Sequence, residues 1–261
     1  MEIYDFHAHI YPEKIREKAV ESFYTDYTIT VNCNGSADYL LEIGKRAGID
    51  KFVTLAVAAT GRHVEAVNDF VLSEQLKHPE FLAFGSVHPD HQDMCGEIER
   101  IKKAGIKGIK LHPSTQKFAV DDKRMFPVYD YLSKTGLPLL VHCGDYRYDF
   151  DNPERVAHVL DEFPKLRLIA AHLGGWLLYD RALDVFKNRE CYLDCSSVFM
   201  YTGKRHGLEL IREYGAERIV FGSDYPVWNP EQELKELMQL GLTEGELEMI
   251  LCRNAKDLLG E

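Results

Sequence analysis

The run Leu166-Arg167-Leu168-Ile169-Ala170-Ala171-His172 is almost wholly apolar and delivers a histidine where it stops, just before Leu173-Gly174-Gly175. Apolar runs without polar alternation suit strands buried on both faces, the condition of a parallel sheet covered by helices. Residues 106–112 and 138–142 repeat the pattern, so that His112, His142 and His172 stand 30 residues apart each time. One βα unit of a closed barrel has about that length, since eight units make roughly 250 residues. Further strands fit residues 1–6, 51–57, 81–87, 191–195 and 218–223. Helical patterns fall between them at 37–47, 63–77, 94–104, 127–134, 153–163, 177–187 and 204–214, with two closing helices at 231–240 and 244–259. The predicted class is α/β, a (β/α)8 TIM barrel spanning residues 1–261 as one domain. It is elaborated by a long connection after strand one. That connection, residues 11–36, holds a charged helical piece at 12–21 and an alternating piece at 27–31, and long connections of this kind often act as lids or binding loops.

Composition narrows the function classes. The 261 residues carry 31 Lys+Arg against 42 Asp+Glu, a net charge of -11. An acidic balance argues against nucleic acid or an anionic membrane as the main partner and leaves a small-molecule substrate. No apolar run approaches the roughly 20 residues of a membrane span. The six cysteines show no Cys-x-x-Cys spacing. Reduced thiols in a cytoplasmic protein are therefore expected, with no targeting segment ahead of the first strand. Neither a Walker pattern nor G-x-G-x-x-G after strand one is present, so no phosphate-binding loop is predicted.

The polar residues at the strand ends carry the chemistry. Asp5-Phe6-His7-Ala8-His9 closes strand one, and alternation sends His7 and His9 the same way, one pleat apart. His112, His142 and His172 end strands four, five and six, and Asp224 ends strand eight. The C-terminal ends of barrel strands converge on one rim, where such enzymes build their sites. Imidazoles with one carboxylate suit a divalent ion, zinc first, with manganese, iron or cobalt as alternatives. One ion is expected rather than two. It would lower the pKa of a bound water and polarise a substrate oxygen. Asp224 would take a proton from that water, and His172, near the ion, would serve as general acid or base. Lys110 shares a strand face with His112, and both are substrate-binding candidates. Arg147, which can clamp a carboxylate, and Trp176 and Tyr225, which can wall a ring, complete that set. Asp5 is expected to orient a ligand histidine, and Cys143 to pack.

Together, Asp5-Phe6-His7-Ala8-His9, Val141-His142-Cys143-Gly144, Ala171-His172-Leu173-Gly174-Gly175 and Phe221-Gly222-Ser223-Asp224-Tyr225-Pro226 resemble the metal-dependent amidohydrolase superfamily, in particular its amidohydrolase-2 branch. That branch includes aminocarboxymuconate-semialdehyde and resorcylate-type decarboxylases beside hydrolases and lactonases. The resemblance implies His7, His9 and His142 as metal ligands and Asp224 as ligand and base. It implies His172 as the catalytic histidine of single-metal members, and a homodimer. In two-metal members a carbamylated lysine bridges the ions from strand four, the position of Lys110. The resemblance implies neither activity over the other; hydrolysis of an amide, lactone or ester by metal-activated water is expected, because activating water needs the fewest extra groups. The alternative is non-oxidative decarboxylation of a small unsaturated or aromatic acid.

Overall fold

The structure is a computed structural model and describes residues 1–31 and 33–261. Eight parallel strands follow one another around a single sheet: β1 (Tyr4–Ala8), β2 (Lys51–Leu55), β3 (Phe81–Ser86), β4 (Gly108–Leu111), β5 (Leu139–Val141), β6 (Leu168–Ala170), β7 (Tyr192–Asp194) and β8 (Ile219–Val220). The ends of the sheet meet. The Phe6 amide donates to the Phe221 carbonyl at 2.7 Å, the Asp224 amide to the His7 carbonyl at 2.8 Å and the His9 amide to the Tyr225 carbonyl at 2.6 Å. Helices connect the strands, giving the (β/α)8 barrel expected from the spacing. The strands are shorter than their apolar runs because the backbone leaves the ladder where the rim begins, one residue before His112, before His142 and two before His172.

Two apolar layers hold this frame. Inside the barrel, Phe6, Val53, Leu55, Phe84, Leu140, Ile169 and Val220 form a filled lumen below the rim. Outside it, alternate strand residues such as Ile109, Leu111, Leu139, Val141 and Leu168 pack against the helices. The burial of both faces explains the unbroken apolar runs in the sequence. Close packing also explains Gly222: a Cβ there would lie 2.8 Å from the His7 Cβ, so only glycine lets the end of β8 approach β1.

The connection after β1 is mostly helical. Helix α1 spans Glu13–Tyr27, longer than the predicted piece, and residues 28–31 form no strand. Alternation over so short a stretch without a neighbouring edge to pair with does not make a strand. The closing helix is divided into Glu244–Glu248, a π turn Met249–Arg253 and Asn254–Leu259. Among the described residues no helix is long and apolar enough to cross a membrane. All six cysteines are free thiols.

Candidate metal centre and active site

The rim gathers the predicted histidines over a cavity of about 200 Å³. His7, His9, His112, His142, His172 and Asp224 all line it. The register accounts for one neighbourhood directly. Leu111 pairs with Val141, so His112 and His142 come level, and their rings stack with centroids 3.8 Å apart. His172 lies one residue beyond that level and is turned inward by a left-handed backbone, φ 58°. Ser197 and Asp224, also in the cavity wall, share that conformation at φ 54° and 59°. Such backbone costs about 1–3 kcal/mol per residue and persists where surrounding contacts impose it.

Hydrogen-bond partners assign the ring protons. His7 Nδ1 lies 2.9 Å from Asp194 Oδ2, an acceptor, so Nδ1 carries the proton and Nε2 is a bare lone pair. His9 Nδ1 faces the Leu55 carbonyl at 3.3 Å, so its Nε2 is bare as well. These two unprotonated nitrogens face each other at 3.2 Å. Asp224 Oδ1 stands 3.3 Å from His7 Nε2. Two lone pairs and a carboxylate oxygen brought this close repel unless a proton or cation relieves them; the Lys110 ammonium, 3.4 Å from His7 Nε2, does so in part, and a metal ion between the three would do so fully. Two nitrogens each about 2.1 Å from one ion sit roughly 3.0–3.4 Å apart at angles from square to tetrahedral. The donor set therefore fits a divalent metal.

Electrostatics agree. Burial, then the neighbouring His7 and Lys110, holds His9 well below the usual histidine range. Burial likewise lowers His112 and His142, and lowers His172 against the pull of Asp224 and Asp194. Neutral imidazole is the ligating form. Burial alone would raise Asp194, but His7, His172 and the hydrogen bond from Ser196 outweigh it and keep the carboxyl well below its ordinary value. Lys110 is fully buried and lies 3.4 Å from His7 Nε2; burial lowers it to about 8.

The other side of the rim is arranged differently. His172 Nδ1 donates to the Ser196 carbonyl at 3.1 Å, which leaves its Nε2 bare, 3.0 Å from His142 Nδ1. His142 Nε2 is buried without a hydrogen-bond partner. Its ligating atoms group with those of His112 and Asp151, whereas His7 groups with His9 and Asp224 and also with His172 and Asp194.

The structure redistributes several predicted roles. Asp5 does not touch a ligand ring. The β1–β2 register shifts between Asp5 and Ala8, which re-aims the side chains, and the Asp5 carboxylate takes the Ser223 amide and hydroxyl and the His7 amide. Asp194 orients His7 instead. It also accepts from the Ser196 hydroxyl at 2.5 Å and the His172 amide at 3.2 Å. Tyr225 is no wall of the cavity: it is buried, and its hydroxyl donates to the Ser36 carbonyl at 2.9 Å, pinning the chain behind the connection. Lys110 sits beneath the histidines rather than in the cavity wall. Arg147 is also outside the lining, and its guanidinium is bonded to Asp145. Trp176 does line the cavity, with Tyr27 against its ring at 5.6 Å. Cys143 packs, as expected, donating to the Gly174 carbonyl at 2.6 Å. Asp194 was not singled out from the sequence as the partner of a ligand histidine, and neither were Ser196 and Asp151. An acid inside the apolar run Tyr192-Leu193-Asp194-Cys195 was the available signal for the first.

A barrel with this rim is an enzyme scaffold of the amidohydrolase class. The chain belongs to the amidohydrolase family, in its amidohydrolase-2 branch: the family model matches residues 4–260. The decarboxylase orsB of Emericella nidulans is 31% identical over 125 residues, 40% of this chain and 37% of that protein, so the match spans well under half of the relative. Among solved structures, an uncharacterised TIM-barrel protein of Bordetella bronchiseptica superposes with a TM-score of 0.80 at 22% identity, covering 100% of this chain and 99% of the other. A dihydroxybenzoic acid decarboxylase of Polaromonas sp. JS666, crystallised with manganese and the inhibitor 2-nitroresorcinol, gives a TM-score of 0.76 at 17% identity over 99% and 97%. At these identities the two structures speak to the fold.

Proposed function

We propose that residues 1–261 form one metal-dependent enzyme unit that decarboxylates a small aromatic acid without oxidation. The carrying observation is the bare His7–His9 nitrogen pair, 3.2 Å apart beside Asp224, at one end of a cavity walled by Phe23, Tyr27 and Trp176. The rest of the lining includes Ile29, Val57 and Val227, and among the described residues no Lys or Arg lines it. A largely apolar slot with the histidines and Asp224 gathered on one side, and Ser22, Asp26 and Thr115 as further polar lining, suits a flat ring whose acidic group points to the histidines. The decarboxylases among the relatives support the same reading.

His7, His9 and Asp224 hold the ion in this reading, whereas His142, the remaining predicted ligand, groups with His112 and Asp151 on the other side of the rim. Imidazole and carboxylate donors suit zinc and manganese alike. When bound, the metal would neutralise and orient the acidic end of the substrate. The chain's residues supply the rest. Ser197 donates to Asp224 Oδ2 at 2.6 Å and Trp228 Nε1 donates to Ser197 at 2.9 Å, so the carboxyl is held facing the cavity. As the bond to the carboxylate breaks, its electron pair stays on the ring carbon, CO₂ departs, and a proton from solvent, passed along the Asp224 side of the cavity, takes its place on that carbon. His172, fixed by Ser196 and Asp194, packs against His7 with ring centroids 5.2 Å apart and lines the polar side of the cavity.

Hydrolysis of an amide, lactone or ester is the second reading, favoured by one observation: Asp224 Oδ1, 3.3 Å from His7 Nε2, is equally placed to take a proton from an attacking water. A panel of hydroxybenzoic acids, lactones and anilides, scored for CO₂ release against acid release, separates the two. One CO₂ per substrate lost, with one proton taken up, is the expected result. Acid release from the lactones or anilides with no CO₂ from any acid would replace decarboxylation by hydrolysis.

A further inference from the structure

Helix α1 covers the cavity, yet little of it is anchored. Ala19, Ser22, Phe23, Asp26 and Tyr27 contribute to the cavity wall, but none of the residues of the helix is fully buried. Its first turn has no side-chain cap. Among the described residues, no salt bridge joins its charged side chains to the barrel. What reaches it from the barrel, beside Trp176 and Thr115 against the Tyr27 side chain, is Arg147. Nη1 of that residue donates to the Asp26 carbonyl in the last turn. The guanidinium lies over the Tyr27 ring at 4.8 Å, with Tyr148 at 5.4 Å and Trp176 at 5.9 Å.

The other edge of the same guanidinium is fixed from below. Nε donates to Asp145 Oδ1 at 2.9 Å and Nη2 to Asp145 Oδ2 at 2.6 Å. Asp145 is fully buried in the loop after β5. A bidentate pair of this kind sets the plane of the guanidinium as well as its charge. The plane so set is the one that meets Tyr27 and Trp176. Arg147 has thus spent both carboxylate-binding N–H groups on Asp145 and a third donor on α1.

We propose that Arg147 and Asp145 form a latch that holds α1 down as the movable wall of the cavity. Arg147 is then a positioning residue that fixes Tyr27 against Trp176 and so sets the size of ring the cavity admits. It is not a clamp for a substrate carboxylate. The choice of ring as occupant rests on the decarboxylase reading; the latch itself does not.

Asp145→Asn separates the two roles, because it removes the partner and keeps the cation. Hydrogen exchange is followed in the unliganded protein for the amides of residues 19–27, in wild type, Arg147→Met and Asp145→Asn. The latch predicts that exchange in this segment speeds up by at least about tenfold in both variants, with the barrel strands unchanged. Arg147→Met, on a partly exposed side chain, keeps the test decisive if Asp145→Asn fails to fold. With a turned-over substrate, KM rises in both variants and kcat changes less. Unchanged exchange in α1 in Arg147→Met overturns the latch. So does tighter binding of a benzoate in Asp145→Asn, which would mean that freeing the guanidinium creates a carboxylate site. The exchange measurement stands whether or not the protein releases CO₂.

Discussion

The two arcs of the rim use the same residue types to opposite effect. On the β1–β8 arc, each ring of His7 and His9 has one nitrogen committed to a fixed acceptor, Asp194 or Leu55, and the other left bare. On the β4–β5 arc, His112 and His142 lie flat on each other at 3.8 Å, and His142 Nε2 has no partner. Parallel stacked rings direct their in-plane lone pairs along separate planes, so they do not converge on one ion. Both arcs offer three ligand atoms within 4.8 Å of one another. Ligand count alone does not tell them apart. The second partner of each ring does, because it determines which nitrogen is bare and where it points.

Substitutions on the two arcs should therefore differ steeply. In the proposed site His7→Ala removes a ligand outright. Activity is expected to fall by about 10³-fold or more, and metal per chain to fall with it, while far-UV circular dichroism and the thermal midpoint stay close to wild type. Asp224→Asn should lose activity on the same scale.

Asp194→Asn comes next. It leaves every ligand in place but allows the amide to present an N–H to His7 Nδ1, which turns the tautomer and weakens metal binding about 10–100-fold by titration with a chelator as competitor. His112→Ala, on the opposite arc, should leave that affinity within about twofold. Equal losses in these two variants would erase the distinction between the arcs.

The smallest effect belongs to stability. Burial raises Asp151 to about 7, against the bonds from Ser114 that lower it. A raised carboxyl favours the protonated folded state, so its contribution is present at acid pH and is lost as pH rises through about 7. Asp151→Asn should then be more stable relative to wild type at pH 8 than at pH 5, with the gap between thermal midpoints changing by about 4 °C.

Much of this was legible in the residues. The 30-residue spacing of His112, His142 and His172 encoded both the barrel unit and the level pairing of β4 with β5. The His7–His9 alternation delivered two nitrogens to one point despite the register shift below them. What stayed hidden depends on contacts remote in sequence or on irregular backbone. Asp194 meets His7 across 187 residues. The inward turn of His172 and Asp224 comes from left-handed backbone that neither residue type announces. Arg147 was read as a substrate clamp because an arginine beyond a strand end can bind a carboxylate bidentately. Its actual partner was two residues away, in Asp145, and became decisive only once the loop folded Asp145 into the interior. Tyr225 was read as a wall because an aromatic side chain at the rim can face a ring, yet its hydroxyl belongs to Ser36.

The central claim is that the β1–β8 arc holds the ion. Crystals of the protein grown with Mn²⁺ and measured at the manganese absorption edge test it most directly. One anomalous peak is expected, bonded to His7 Nε2, His9 Nε2 and Asp224 Oδ1, with none between His112 and Asp151. A peak on the His112–His142–Asp151 side with the His7–His9 pair empty would contradict it.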